Sequence, residues 1–121
     1  MSKQLELEKM LVEAGDELKE IANELNKNST KLIKAELKIN LVKAQLVSQA
    51  EIVSLPNQVM RDAKIEELLQ QDPMYADDYR NYLVLKTENK VLFTKWVLQQ
   101  ELNKNIRVML MKGHNDENLW T

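Results

Sequence analysis

The sequence predicts an all-α protein: an oligomeric helical bundle with a long N-terminal coiled-coil-like helix, a short linking helix and a long C-terminal helix. Three observations support this fold class. Only 2 of the 121 residues are Gly and 2 are Pro, so the chain carries few turn signals. Leu, Lys, Glu, Ala and Gln, which favour helix, are used heavily. Apolar residues also recur at heptad spacing through most of the first half of the chain.

The first predicted helix covers about residues 3–53 and carries a continuous heptad seam. Its members follow one another at steps of three and four residues, with Asn28 and Gln49 as the polar ones. Heptads sustained over this length predict helices that pack lengthwise against other helices. Gly15 lies inside this helix, and a close helix crossing is the simplest reason for it. The seam consists of Leu7, Leu11, Ala14, Leu18, Ile21, Leu25, Asn28, Leu32, Ala35, Ile39, Val42, Leu46, Gln49 and Val53.

Residues 26–30 are the main ambiguity of this helix. Asn, Ser and Thr are good caps and poor helix formers, so a helical hairpin could turn here. We favour a continuous helix, because the heptad phase crosses the stretch unchanged and Asn28 falls on a seam position. A helix of ~50 residues is ~75 Å long, which is more than one chain of this size can cover, so continuity predicts a homo-oligomer. Asn28 would then fix register and subunit number.

Two Pro-containing signals divide the rest of the chain. The residue before Pro56 is biased away from helical angles, so the first helix should end just before it. Asp72 can cap a helix and Pro73 fits the first helical position, so a long closing helix should begin there. Gly113 is the expected stop of that helix. The predicted elements are helices over about 3–53, 57–71 and 73–112 and a tail over 113–121, within a single all-helical domain, 1–121.

A second apolar stripe adjoins the seam in the second half of the first helix. Ile33, Leu37, Leu41 and Ala44 form this stripe. Two adjoining stripes predict contact with more than one neighbouring helix, as in a bundle. The closing helix has a broad apolar face of its own. The candidate oligomer-interface residues on the two long helices are Leu7, Leu11, Leu18, Ile21, Leu25, Asn28, Leu32, Ile39, Val42, Leu46, Leu92, Trp96 and Leu102.

Three polar residues, Glu88, Lys95 and Gln99, fall within the apolar face of the closing helix. Three interpretations stay open: they fix register and partner choice, they lie on an exposed edge of the face, or they line a ligand site. The apolar members of that face are Val84, Leu85, Val91, Leu92, Trp96, Leu98, Leu102, Ile106, Met109 and Leu110.

Residue types that carry catalysis or bind metals are scarce. The chain has no Cys and a single His, His114, and its 2 Gly are isolated, which excludes thiolate zinc sites and Gly-rich phosphate loops. We therefore expect no catalytic residue, no metal site, no cofactor and no enzymatic activity. No apolar run approaches the ~20 residues of a membrane span, so we expect no membrane partner. The absence of Cys fits a reducing cytoplasm.

A row of lysines is the strongest functional signal, on a chain whose net charge is −2. Lys27, Lys31, Lys34 and Lys38 are spaced 4, 3 and 4 residues apart, so they share one helical face. Such a row can follow the phosphates of single-stranded DNA. It can equally pair with an acidic helix of a neighbouring subunit or stay solvated. A second ambiguous set, suited to base stacking or to packing at helical spacing, is Tyr75, Tyr79 and Tyr82.

The order of the predicted elements resembles that of small phage-encoded helical proteins. The stretch Arg61–Leu69 (RDAKIEELL), followed by Asp72-Pro73-Met74-Tyr75, carries the likeness. Over about residues 29–112 the layout is also similar to that of the UvsY-like recombination mediators of T-even phages. That resemblance implies a ring-like helical oligomer that binds single-stranded DNA and loads a recombinase, and it implies no catalytic residue.

Together these features predict a non-enzymatic oligomeric accessory protein in phage-type DNA recombination or replication. It would bind single-stranded DNA, a recombination enzyme, or both, in the cytoplasm of a bacterial host. The alternative is a protein-interaction module with no direct nucleic-acid binding, either a scaffold or an inhibitor that captures a host enzyme.

Overall fold

The computed structural model describes residues 2–115, which form four helices and no strand. Helix α1 spans Lys3–Val47, α2 spans Ala50–Val53, α3 spans Gln58–Gln71 and α4 spans Ala76–Asn115. The predicted all-α class is therefore confirmed. The oligomeric state stays a prediction, and residues 116–121 of the predicted tail lie outside the described residues.

Helix α1 is continuous through residues 26–30, so the hairpin alternative is wrong. The helix ends at Val47, however, and not near residue 53. The Ser48 hydroxyl donates to the carbonyl of Gln45 at 2.9 Å, and a Gln49 N–H bond to Leu46 at 3.1 Å tightens the last turn. The chain then starts the short helix α2, which buries Ile52. The last two predicted seam members, Gln49 and Val53, are exposed instead.

The described helices form two compact units. Of the described residues, unit 1 comprises 2–27 and 90–115, and unit 2 comprises Asn28–Asn89. In unit 1 the first half of α1 packs against the second half of α4. Its core is small: Ala14, Ile106 and Leu110 are buried, and Leu7 and Leu11 pack against them.

Unit 2 has the larger core, because four helical segments contribute to it. The second half of α1, α2, α3 and the first half of α4 each bury at least one side chain there. Ile39, Ile52 and Leu69 are almost fully enclosed. The buried cluster consists of Ile39, Leu46, Ile52, Ile65, Leu69 and Tyr79, with Val42, Leu68, Tyr75 and Tyr82 packed against it.

Polar side chains cap α3 and set the start of α4. The Asn57 side chain accepts from the N–H of Met60 at 2.9 Å and caps α3. The Asp72 carboxylate accepts from Met74 N–H at 2.9 Å, and the Asp72 carbonyl accepts from Tyr75 and Ala76. Since these bonds hold residues 73–75 in a turn, α4 begins at Ala76 and not at Pro73.

Helix α4 also passes through Gly113 and ends at Asn115. The predicted stop at Gly113 is therefore wrong. A glycine stop normally adopts a left-handed conformation, and none of the described glycines has a positive φ.

The heptad seam of α1 is covered within the chain. From Leu7 to Leu46 every seam residue is buried or half-buried, because α4, a helix of 40 residues, runs beside α1 in each unit. The argument that only an oligomer could cover α1 is therefore wrong. None of the helices within residues 2–115 is long and apolar enough to cross a membrane.

Candidate interaction surfaces

The basic groove of unit 2 contains three of the four predicted lysines. Lys31, Lys34 and Lys38 line a cavity of about 420 Å³ together with Asp78, Asn81, Ala35 and Leu85. The Lys38 ammonium lies 3.0 Å from a carboxylate oxygen of Asp78. No described residue forms an ion pair with Lys31 or Lys34, so their charges are open to a partner. The fourth lysine, Lys27, belongs to unit 1 and is exposed.

The acidic groove of unit 1 was not singled out from the sequence as a site. Glu17, Glu20 and Glu24 of α1 border a cavity of about 470 Å³. Leu98 and Leu102 of α4 line the same cavity. Both leucines are exposed, at 65% and 47%. The acids recur at steps of three and four residues, as the lysines do, and this spacing is the signal that could have found them. The remaining lining residues are Ile21, Lys95 and Gln99.

The second apolar stripe of α1 does not pack inside the chain. Ile33, Leu37 and Leu41, all in unit 2, are 58%, 59% and 67% exposed. An apolar stripe of this exposure is more than isolated surface hydrophobic residues would give. The prediction that this stripe contacts a further helix is therefore not met by any described helix of the chain.

The candidate interface residues of α1 are occupied inside the chain. Ile21, Ile39 and Leu46 are buried, and the other apolar candidates are half-buried. On α4, Leu92 and Trp96 are half-buried as well, whereas Leu102 is exposed. These side chains, apart from Leu102, are therefore core residues of one chain. The half-buried candidates of α1 are Leu7, Leu11, Leu18, Leu25, Leu32 and Val42.

Asn28 is used in the same way, as a buried amide within unit 2. Its amide donates to the carbonyl of Leu85 and to Oδ1 of Asn89, both at 3.2 Å. The Ser29 hydroxyl donates to the same Asn89 oxygen at 2.9 Å. Asn28 therefore sets the register of α1 against α4, and its predicted role between subunits is wrong.

A second buried amide cluster lies in unit 1. Asn103 is 3% exposed, and both its amide and that of Gln99 donate to the carbonyl of Ala14 at 3.3 Å. Gln99 also donates to Oδ1 of Asn103 at 3.1 Å. Of the three polar residues predicted on the apolar face, Gln99 thus fixes register within the chain, whereas Glu88 and Lys95 are exposed.

The three tyrosines take part in the core of unit 2. Tyr79 is buried, and its hydroxyl donates to the Glu66 carboxylate. Burial, and then this hydrogen bond, raise the pKa of Tyr79 to about 12. Tyr75 and Tyr82 are half-buried against the same cluster. Packing therefore accounts for their spacing, and the buried ring of Tyr79 is not accessible to a nucleobase.

Potential metal ligands are not grouped: within residues 2–115 no set of three acidic or histidine side chains is placed to hold a metal ion. The side chain of His114 lies outside what the structure describes. No protein family model matches the chain, and no curated protein or solved structure is significantly similar to it. The features of the chain that bear on its function are therefore the two grooves and the exposed apolar side chains.

Proposed function

We propose that this protein is a helical interaction module that acts by binding other proteins. The observation that carries the proposal is the acidic groove of unit 1, where Leu98 and Leu102 are exposed beside Glu17, Glu20 and Glu24. Exposed apolar side chains rimmed by charges are typical of protein-binding surfaces. A helix with basic and apolar side chains on adjoining faces complements such a groove.

The test is capture of a protein partner by the immobilised chain. The chain is immobilised through a tag and exposed to a nuclease-treated cell extract. The cells also express the chain without the tag, so that the extract contains a second copy that can be captured. We expect the wild-type chain to retain one protein at stoichiometric amount, and the Leu98→Glu/Leu102→Glu variant to lose it. The control is Val59→Glu/Met74→Glu, which makes the same change at two exposed positions of unit 2. Equal retention by both variants would contradict the proposal.

The second candidate is an accessory role in DNA recombination or replication, as the likeness to UvsY-like mediators implies. The lysine row supports it, because Lys31 and Lys34 are exposed and unpaired among the described residues. Contact with single-stranded phosphates releases counterions, so affinity should fall with salt. A recombinase or replication enzyme would be the protein partner, and a bacterial cytoplasm the location.

Anisotropy of a labelled single-stranded oligonucleotide over a salt series tests this second candidate. Four lysines give a slope of log K against log salt no steeper than about −3, at ~0.7 per phosphate. Lys31→Glu/Lys34→Glu should abolish binding, while Lys3→Glu/Lys9→Glu, with the same net charge, should retain it. Absence of binding at low salt would eliminate the DNA candidate and leave the protein-binding proposal intact.

Two observations favour protein over DNA as the partner. Asp78 lies in the basic groove and pairs with Lys38. The lysine row therefore presents fewer unpaired charges than the sequence predicts. The exposed apolar side chains of both units have no role in phosphate binding but suit a protein surface.

A further inference from the structure

One face of α1 carries a row of charged residues that are placed symmetrically about a midpoint, with opposite charges at mirrored positions. Starting from Glu13, the row runs through four acids and then four lysines at steps of three and four residues. Each acid lies as many residues before the midpoint between Leu25 and Asn26 as one lysine lies after it. Met10 and Leu41 extend the row by one apolar residue at each end, both exposed. The row consists of Met10, Glu13, Glu17, Glu20, Glu24, Lys27, Lys31, Lys34, Lys38 and Leu41.

These charges are largely unsatisfied within one chain. All eight charged members of the row are exposed. Among residues 2–115, Lys38 is the only one of the eight that forms an ion pair, with Asp78. Glu17, Glu20 and Glu24 border the groove of unit 1, and Lys31, Lys34 and Lys38 border the groove of unit 2. Apart from the Lys38–Asp78 pair, these charges are therefore open to a partner.

A mirrored row pairs with itself in only one direction. When two copies of α1 lie antiparallel about the midpoint, Glu24 meets Lys27, Glu20 meets Lys31, and the remaining pairs follow. In a parallel pair in register, like charges would face each other along the whole row. Charges beside a helical interface select direction and register in this manner.

We propose that the partner of the acidic groove is a second copy of this chain, bound antiparallel through the Met10–Leu41 row about a two-fold axis. This proposal deepens the proposed function by naming the protein that is bound. At each end of the row, Met10 of one copy would meet Leu41 of the other, and both are exposed. Because exposed ion pairs stabilise little individually, the apolar contacts supply the affinity and the charges set the direction.

Charge reversal with rescue tests the proposal on the purified, full-length chain. We expect the wild type to sediment as a dimer in the micromolar range, with a dissociation constant that rises with salt. Glu17→Lys/Glu20→Lys and Lys31→Glu/Lys34→Glu should each raise that constant at least tenfold, because like charges then face each other. An equimolar mixture of the two variants should form a heterodimer, and the chain that carries all four changes should dimerise with itself.

The control keeps the net charge of the lysine variant and leaves the row intact: Lys3→Glu/Lys9→Glu should dimerise like the wild type. Circular dichroism establishes that each variant is folded, which all of these exposed positions allow. Crosslinking through introduced cysteines distinguishes an antiparallel pair from a parallel one, because the natural chain has no Cys of its own. A mixture of Glu24→Cys and Lys27→Cys should oxidise to the crosslink between the two variants in preference to either self-crosslink.

Three results would overturn the inference: a wild-type chain that stays monomeric, a dimer that charge reversal leaves unchanged, or variants that fail to complement each other. A monomer that still captures a different protein from the extract would keep the proposed function and assign the groove to that protein. A monomer whose lysine row binds an oligonucleotide would assign the row to nucleic acid.

Discussion

At the scale of single residues, buried amides decide how α1 and α4 align. Asn28 in unit 2 and Asn103 in unit 1 are each enclosed, and each donates to a backbone carbonyl of the other helix. A buried amide without its partner loses hydrogen bonds that water can no longer replace. Any shift of α1 along α4 therefore leaves at least one such group unsatisfied.

Asn28→Asp tests this role with a side chain of the same shape. The carboxylate would face two oxygen acceptors, the Leu85 carbonyl and Asn89 Oδ1, so we expect a loss of about 2 kcal/mol in the free energy of unfolding. Asn40→Asp, at an exposed position of the same helix, should change it by less than about 0.5 kcal/mol. Urea unfolding at neutral pH measures both; equal effects would refute the role.

Tyr79 makes stability depend on alkaline pH. Its folded pKa of about 12 lies above the ordinary value of about 10, so the folded state holds the proton more tightly. The stabilisation is complete below pH ~10 and is lost as the pH rises from ~10 to ~12. At about 1.4 kcal/mol per unit, the loss is at most about 3 kcal/mol, and solvent screening near the exposed Glu66 reduces it. Unfolding of Tyr79→Phe at the same pH values should lack this component, whereas Tyr75→Phe, which retains Tyr79, should show it.

At the scale of elements, α1 combines a covered seam with an uncovered charged row. The seam is apolar with Asn28 as its polar register position, and α4 covers it in each unit. The row of charges lies on the neighbouring heptad positions, where the same chain leaves it exposed. One helix therefore contributes to the cores of both units and also carries a row of exposed charges.

Gly15 lowers the stability of α1, because glycine is unfavourable in the interior of a helix. It lies in the helix interior without a positive φ, and a Cβ built there meets nothing within 4 Å. Residues 2–115 therefore make no close helix crossing at Gly15, and Gly15→Ala should stabilise the chain by about 0.5–1 kcal/mol. Thermal or urea unfolding measures the gain. Ala44→Gly, the reverse change at an exposed position of α1, should cost a similar amount; a loss for Gly15→Ala would indicate a contact at this position.

At the scale of the whole molecule, both cores are built from one chain. The clusters around Ile39 in unit 2 and Ile106 in unit 1 need no second copy. Assembly is therefore expected to follow folding and not to drive it. A second copy or another protein would then bind a surface that already exists in the folded chain.

This leads to a prediction about dilution. The Lys31→Glu/Lys34→Glu variant, diluted until it is monomeric, should retain the helical circular dichroism of the wild type, and its urea midpoint should not depend on protein concentration. Ile39→Ala is the contrasting variant, because a 1% exposed side chain is removed from the core, at a cost of about 2–4 kcal/mol. Loss of helix upon dilution of the charge variant would show that the fold requires assembly.

The sequence by itself determined the helical class, the heptad seam of α1 and the spacing of the lysine row, and it favoured a continuous helix through residues 26–30, which the structure then showed. All of these are periodic and local, and helix geometry alone converts spacing into a shared face. Only the tertiary structure decided which helix covers the seam. A heptad pattern specifies an apolar surface but not whether its cover comes from the same chain or from another.

The tertiary structure also decided the details that depend on contacts between distant residues. It ended α1 at Val47, ahead of the short helix that buries Ile52, and it assigned Asn28, Gln99 and Asn103 to amide clusters within the chain. It also showed that, within residues 2–115, the acids and lysines of the row form no ion pair except that of Lys38 with Asp78. These outcomes could not be predicted from spacing, because burial and hydrogen bonding depend on which side chains meet in space.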